Sequence, residues 1–248
     1  MVSLVLVSHS QALANALVPL IREMADDEVQ IAVAAGSGDD GTSFGTDAVA
    51  IMQAIESVDT PDGVLVLGDM GSALLSTDTA LELLPEDTRA RTRLLSASFV
   101  EGAMAAAIQA SMGSPVEDVI REAQNALAQK QRHVDDAPAE APLTEAAKDE
   151  EAAEDALSVV ATLPNPHGLH ARPAAQLVRT AGQYNATVTI AHEADDDAPV
   201  SATSISAVST LDARQGDALR LTAHGPEARD ALNALQALID DGFGEADA

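Results

Sequence analysis

Cysteine and tryptophan are both absent from the 248 residues. Disulfide staples and thiolate metal sites are thereby ruled out. Positive charge is nearly as scarce, with 13 Lys and Arg against 40 Asp and Glu for a formal net charge of −27. The only lysines are Lys130 and Lys148. With no basic stripe to neutralise phosphates along a polynucleotide, the composition argues against nucleic acid as a partner. No apolar run approaches the ~18 residues that a bilayer span requires. The opening "MVSLVLVSHS" has neither a basic region nor a small-residue cleavage site. No signal peptide is expected, and the cytoplasm is the expected compartment.

What remains is an acidic, alanine-rich chain that is 46% hydrophobic, enough to build folded domains. With only four aromatics (Phe44, Phe99, Tyr184 and Phe243), it has the composition of proteins from salt-loving organisms. Molar salt shortens the Debye length to ~3 Å and screens self-repulsion in such cells. The charge is spread out, −13 over residues 1–130, −7 over 131–155 and −7 over 156–248. The stretch "RHVDDAPAEAPLTEAAKDEEAAED" (132–155) has no repeating apolar face and is expected to be a solvated linker. Two domains are therefore expected, 1–130 and 156–248, joined by a linker at 131–155. A flexible linker of that length has a root-mean-square reach of roughly 25–30 Å.

Before the linker, apolar strand runs alternate with helical periodicity. Strands are expected at 3–7, 29–35, 63–69 and 93–98, and helices at 11–24, 46–58, 72–84, 100–112 and 115–130. Such alternation predicts an α/β fold, a mainly parallel sheet with helices on both faces. Ligands of such sheets sit beyond the carboxyl ends of the strands. "SHS" after the first strand and "GDMGS" after the third are therefore the places for chemistry. "GSGDDG" (36–41) fits G-x-G-x-x-G but follows the second strand, and its two aspartates would repel a pyrophosphate, so it is read as a turn. After the linker, strands at 156–163, 186–192, 198–202 and 217–224 mix with helices at 171–184, about 203–211 and 226–241. That order predicts an α+β open-faced sandwich, an antiparallel sheet covered on one face. The acidic "DDD" at 195–197 is read as a solvated turn.

Two of the six histidines stand three apart in "NPHGLHARPAAQLV" (165–178), beside one of the few arginines. An unperturbed imidazole, with a pKa of about 6.5, is mostly neutral at pH 7 and can act as a nucleophile. Pro173 suits a first helical turn, which puts His170 just outside a helix N-terminus that favours a phosphoryl group. Arg172 adds a cation for charge-assisted hydrogen bonds. These residues resemble the "GLHARPAA" signature of the HPr histidine phosphocarriers, a likeness that covers residues 156–248. The resemblance implies that His170 is phosphorylated on Nδ1, flanked by Arg172. His167 is then a loop residue with at most a supporting role. Ser204 aligns with a regulatory phosphorylation site of some HPr proteins, but Thr203 replaces the usual preceding lysine, and a helix cap is the better reading.

Residues 1–130 resemble the enzyme IIA domains of the mannose family, through "LVLVSHSQALANAL", "GTSFGTDAVAIM", "VLVLGDMGSALL" and "FVEGAMAAAIQASMG". The resemblance places a phosphorylated histidine, attached through Nε2, at His9. A carboxylate on the other ring nitrogen, here Asp69, would fix the tautomer. "GDMGSALLSTDTALELL" is similar to the DhaM branch, the phosphoryl-donating subunits of dihydroxyacetone kinases. Gly71 and Ser72 would let donors approach the phosphate, with Thr42, Gly45 and Thr46 as a neighbouring wall. Ser8, Ser10 and Thr46 could equally be ordinary caps. Gly68 departs from the small polar residue often found there.

The likeness implies a relay without metal or cofactor. A separate enzyme I would phosphorylate His170, the group would pass to His9, and then to ADP on a DhaL-type subunit that works with a DhaK-type subunit. Homodimerisation through the first domain is implied as well. Alternatives are supply of a IIB subunit for sugar uptake, and a regulatory binding protein read out by phosphorylation state. Nothing resembling enzyme I follows the tail "GFGEADA", so that donor is expected on another chain. From the charge, dilution below molar salt should lower the melting temperature; an unchanged thermal melt would contradict the salt-adapted reading.

Overall fold

The computed structural model describes residues 1–37, 43–135 (backbone alone over 129–135), 156–193 and 198–245. Two compact units divide it, Met1–Ala128 and Gln129–Ala248.

In the first unit, β1 (Ser3–Ser8), β2 (Ile31–Ala35), β3 (Val64–Gly68) and β4 (Thr92–Leu95) form a sheet in the order β2-β1-β3-β4. Every pairing is parallel. Because β1 is covered on both faces, all six of its residues are buried, as expected of a continuous apolar run in a parallel sheet. Successive side chains go to opposite layers. Leu4 and Leu6 meet Leu17 and Ile21 of α1 (Gln11–Arg22), small residues of α5 (Glu101–Ser111) and Val119 of α6 (Val116–Asp135). Val5 and Val7 meet Ile51 and Ile55 of α2 (Ala48–Ser57) and Ala73 and Ala80 of α3 (Gly71–Leu83). Alanine lets the helices approach closely. A Cβ placed on Gly102 of α5 would lie 2.9 Å from the Ala97 methyl.

Several element ends fall a few residues inside the expected ranges, and three elements of the first unit differ for a physical reason. A short helix, α4 (Glu86–Arg91), precedes β4. It has no apolar period, yet Glu86 and Asp87 in its first turn and Arg89 and Arg91 in its last match the helix dipole. Strand β4 spans Thr92–Leu95, not 93–98, because the chain turns before Ser98, whose hydroxyl receives the Gly102 N–H in α5. Helix α6 continues to Asp135 through "NALAQKQRHVD", a run of mostly good helix formers, so residues 131–135 of the expected linker are helical. Residues 136–155 lie outside the described residues, as do 195–197, 38–41 of "GSGDDG" and Thr42.

The second unit is an antiparallel sheet in the order β5-β8-β6-β7, from β5 (Leu157–Thr162), β6 (Thr187–His192), β7 (Val200–Ser201) and β8 (Ala218–His224). Leu219, Leu221 and Ala223 of β8 are buried while Arg220 is exposed, the alternation of a sheet with one solvated face. Helices α7 (Ala171–Gly182) and α9 (Ala228–Asp240) bury apolar stripes, Leu177 and Val178 on one and Leu232, Leu235 and Ile239 on the other. Between them in the chain is the short α8 (Ile205–Ser209). The loop before α7 turns at Gly168, with φ +63. A side chain there would meet Arg214 Cα at 2.7 Å and press still closer on the Ala213 carbonyl. Gly168→Ala should destabilise the second unit by more than about 1 kcal/mol, read as a lower denaturation midpoint with the first unit's transition unchanged.

Candidate functional site: two histidines, each held by a carboxylate

The chain leaves β1 for β2 on one side and crosses to β3 on the other, so the crevice between β1 and β3 is where the strand order reverses. His9 follows β1 and Asp69 follows β3. Strand pairing sets Val7 opposite Gly68, and the Asp69 N–H donates to the Val7 carbonyl at 3.1 Å. The Asp69 carboxylate then gathers three donors. Its Oδ2 accepts from the Ser8 hydroxyl and the His9 backbone N–H, each at 2.8 Å. Its Oδ1 accepts from His9 Nδ1 at 2.8 Å.

A carboxylate can only accept, so Nδ1 carries the ring proton and the neutral His9 ring presents a lone pair at Nε2. The Ser72 hydroxyl, in the first turn of α3, sits 2.5 Å from that nitrogen. Burial works against the Asp69 charge. The hydrogen bonds from the His9 N–H, the His9 ring and the Ser8 hydroxyl outweigh it and hold the carboxyl below its ordinary value of 3.8. The His9 side chain keeps 18% of its surface open.

The segments that hold this ring carry exposed apolar side chains. Phe44 (84% exposed) precedes Gly45, whose N–H donates to the His9 carbonyl at 3.1 Å. Met70 and Leu75 are also exposed, one directly after Asp69 and the other three residues beyond Ser72.

At the second site, His170 is the N-cap of α7 and makes no side-chain capping bond. Its Nε2 faces the Glu245 carboxylate, at 3.1 Å from Oε1 and 3.2 Å from Oε2. Here Nε2 holds the proton and Nδ1 has the lone pair, the reverse of His9. The His167 ring stands edge-on to that of His170, with centroids 6.0 Å apart. Arg172, the second residue of α7, is exposed.

The other residues singled out from the sequence have local partners. Ser10 caps α1, its hydroxyl accepting the Leu13 N–H at 3.3 Å. Thr46 pairs with Ser76 of α3 at 2.7 Å. A Cβ on Gly71 would meet nothing within 4 Å, so the helix start beside His9 is open. Ser204 caps α8 by accepting the Ala207 N–H at 3.0 Å. Sequence reasoning missed Glu245, 75 residues from His170 and in no local pattern, and Asn165, which opens the quoted stretch but whose role only its contact with Glu245 reveals. It left Ser8 open between a site role and an ordinary cap; the Ser8 hydroxyl is one of the Asp69 donors.

Residues 3–120 match the family described as PTS system fructose IIA component, and residues 157–241 match the PTS HPr component phosphorylation site. Fold and sites thus define a two-module protein of the phosphotransferase-system type, an enzyme IIA-like module followed by an HPr-like module. The phosphoryl donor subunit DhaM of a PEP-dependent dihydroxyacetone kinase from Escherichia coli K12 is 42% identical over 250 residues, 100% of this chain and 52% of that protein. The DhaM subunit of PEP-dependent dihydroxyacetone kinase 2 from Listeria innocua is 38% identical over 125 residues, 50% of this chain and 98% of that protein. The chain belongs to the DhaM family. It spans about half the length of the E. coli relative and of similar ones. A solved HPr from Thermoanaerobacter tengcongensis is 36% identical, covering 36% of this chain and 97% of that one with a TM-score of 0.34.

A carboxyl held below its ordinary pKa contributes stability that is present at neutral pH and lost as pH falls through its folded-state value. Asp69→Asn should therefore melt below the wild type at pH 7. The gap should narrow as pH drops below about 4, which paired melts across pH 3–7 would record.

Proposed function

We propose that the chain is a two-station phosphohistidine carrier of the cytoplasm. Enzyme I, charged by phosphoenolpyruvate, would phosphorylate His170 on Nδ1. The group would move to Nε2 of His9 and from there to ADP on a DhaL-type subunit. The ATP formed would phosphorylate dihydroxyacetone held by a DhaK-type subunit.

The observation that carries this reading is the fixed tautomer of His9. Asp69 holds the Nδ1 proton, so the Nε2 lone pair is free to attack phosphorus in line as the bond to the donor nitrogen breaks and that nitrogen recovers its electron pair. Asp69 then stabilises the cationic ring that carries the phosphoryl group, as a buried carboxylate does for an imidazolium. Ser72 can turn its hydroxyl from Nε2 to a phosphoryl oxygen, beside the Gly71 and Ser72 N–H groups at the start of α3. Transfers between phosphorylated nitrogens need alignment and charge stabilisation more than covalent chemistry by the protein. The exposed apolar side chains on the segments that hold His9 favour a protein as the next acceptor, since such patches mark interaction surfaces.

Relationship to the DhaM subunits, which are phosphoryl donors of dihydroxyacetone kinases, supports the choice of acceptor. The test supplies the chain with enzyme I, phosphoenolpyruvate, a DhaL-type subunit and ADP. Wild type should form ATP. His170→Ala should take no label from enzyme I, and His9→Ala should be labelled in the second unit yet form no ATP. Asp69→Asn should slow ATP formation by at least about 100-fold, in line with losing the carboxylate partner of a reacting histidine. Label on neither histidine of the wild type would refute the reading, and transfer to a IIB subunit in preference to DhaL would move the chain to sugar uptake.

A further inference from the structure

We propose that Glu245 is a positioning residue for His170, set in place by Asn165 and by the buried Phe243, and that it makes Nδ1 the reacting nitrogen. The proposal rests on the reading of His170 as a phosphate carrier.

Glu245 belongs to the segment after α9, far from the signature in sequence. Past Asp240 the chain makes a left-handed turn through Gly242, Phe243 and Gly244, with φ values of 64, 58 and 70. Phenylalanine is rare in that region and strained there. Phe243 is nevertheless 2% exposed and heads the fully buried side chains by volume. Burial of its ring holds the strained turn, and the turn aims the next charged residue at the start of α7. The Glu245 N–H closes it by donating to the Gly242 carbonyl at 3.0 Å.

A second donor holds the carboxylate as well. Asn165, 2% exposed, donates from Nδ2 to Glu245 Oε2 at 3.3 Å and to the Gly168 carbonyl at 2.6 Å. Its Oδ1 is buried without a partner. Flipping the amide would point that oxygen at two other oxygens, so the donor orientation is the stable one. The amide thereby ties the His170 loop and the tail together. A chain of three side chains, Asn165 to Glu245 to His170, ends on Nε2.

The chemical consequence lies at the opposite nitrogen. When Nδ1 forms its bond to phosphorus, the bond from phosphorus to the donor breaks and the donor keeps that pair. The ring retains its Nε2 proton and becomes cationic. Glu245 stabilises that cation from the side away from the incoming negative phosphoryl group, so attraction is gained with little repulsion. Arg172, exposed and with no hydrogen bond or ion pair among the described residues, is available to the phosphoryl oxygens.

The test uses the full chain, labelled with ¹⁵N for ring spectra, with enzyme I and phosphoenolpyruvate for rapid-quench labelling of His170. In its neutral form the wild-type His170 ring should be the Nε2–H tautomer. Glu245→Ala should mix the two tautomers and slow labelling roughly tenfold, the lower range for losing the orienting partner of a working histidine. Glu245→Gln, which keeps an acceptor of the same shape, should preserve the Nε2–H form and recover part of the rate. A role confined to tail packing would leave the ring spectrum alone. Wild-type labelling rates and ring spectra in both variants would overturn the proposal while the carrier reading stood. Absence of label on wild-type His170 would overturn both.

Discussion

One carboxylate organises the first unit's site. Asp69 accepts from the Ser8 hydroxyl, the His9 backbone and the His9 ring, so the end of β1 is bound to the end of β3 by three bonds to a single charge. Hydrogen bonds to a charged group are about twice as strong as neutral ones. They are available only because β1 and β3 are parallel neighbours whose ends coincide. The sheet order therefore decides the chemistry, since an intervening strand would part the acid from the imidazole. The local cost is a charge taken largely out of water, which the three donors offset.

The second unit meets the same requirement by other means. Its histidine also has one nitrogen against a carboxylate, but the carboxylate comes from a tail segment held by a strained, buried aromatic. The two sites consequently offer opposite nitrogens, Nε2 at His9 and Nδ1 at His170. In both, the negative side chain faces the protonated nitrogen and leaves the lone pair on the other. In the proposed relay this keeps the phosphoryl group away from the carboxylate at each station while the cationic ring stays stabilised.

Charge and packing act on different scales in this molecule. The interior of the first unit is made of aliphatic residues and alanine, with strand residues shared between two helical layers. Among the described residues Glu122 is the one acidic side chain that is buried; net charge of this kind bears on solubility and association rather than on fold. Short-range order at the sites does not depend on it, because the bonds there are direct contacts within a Debye length.

The two histidines, the alternation of strands and helices, and the change of pattern near residue 156 were legible because each is local. Apolar period, a proline in a first helical turn and a glycine before a histidine lie within a few residues of one another. Helix α4 escaped for the same reason: five charged or polar residues and one alanine give no period. The amino-acid order by itself determined which residue types could receive a phosphoryl group and which segments bury their faces. Tertiary structure alone decided which carboxylate meets which ring nitrogen. Strand order brings Asp69 across 60 residues to His9, and a left-handed turn brings Glu245 across 75 to His170, and neither distance is encoded in any short window of sequence.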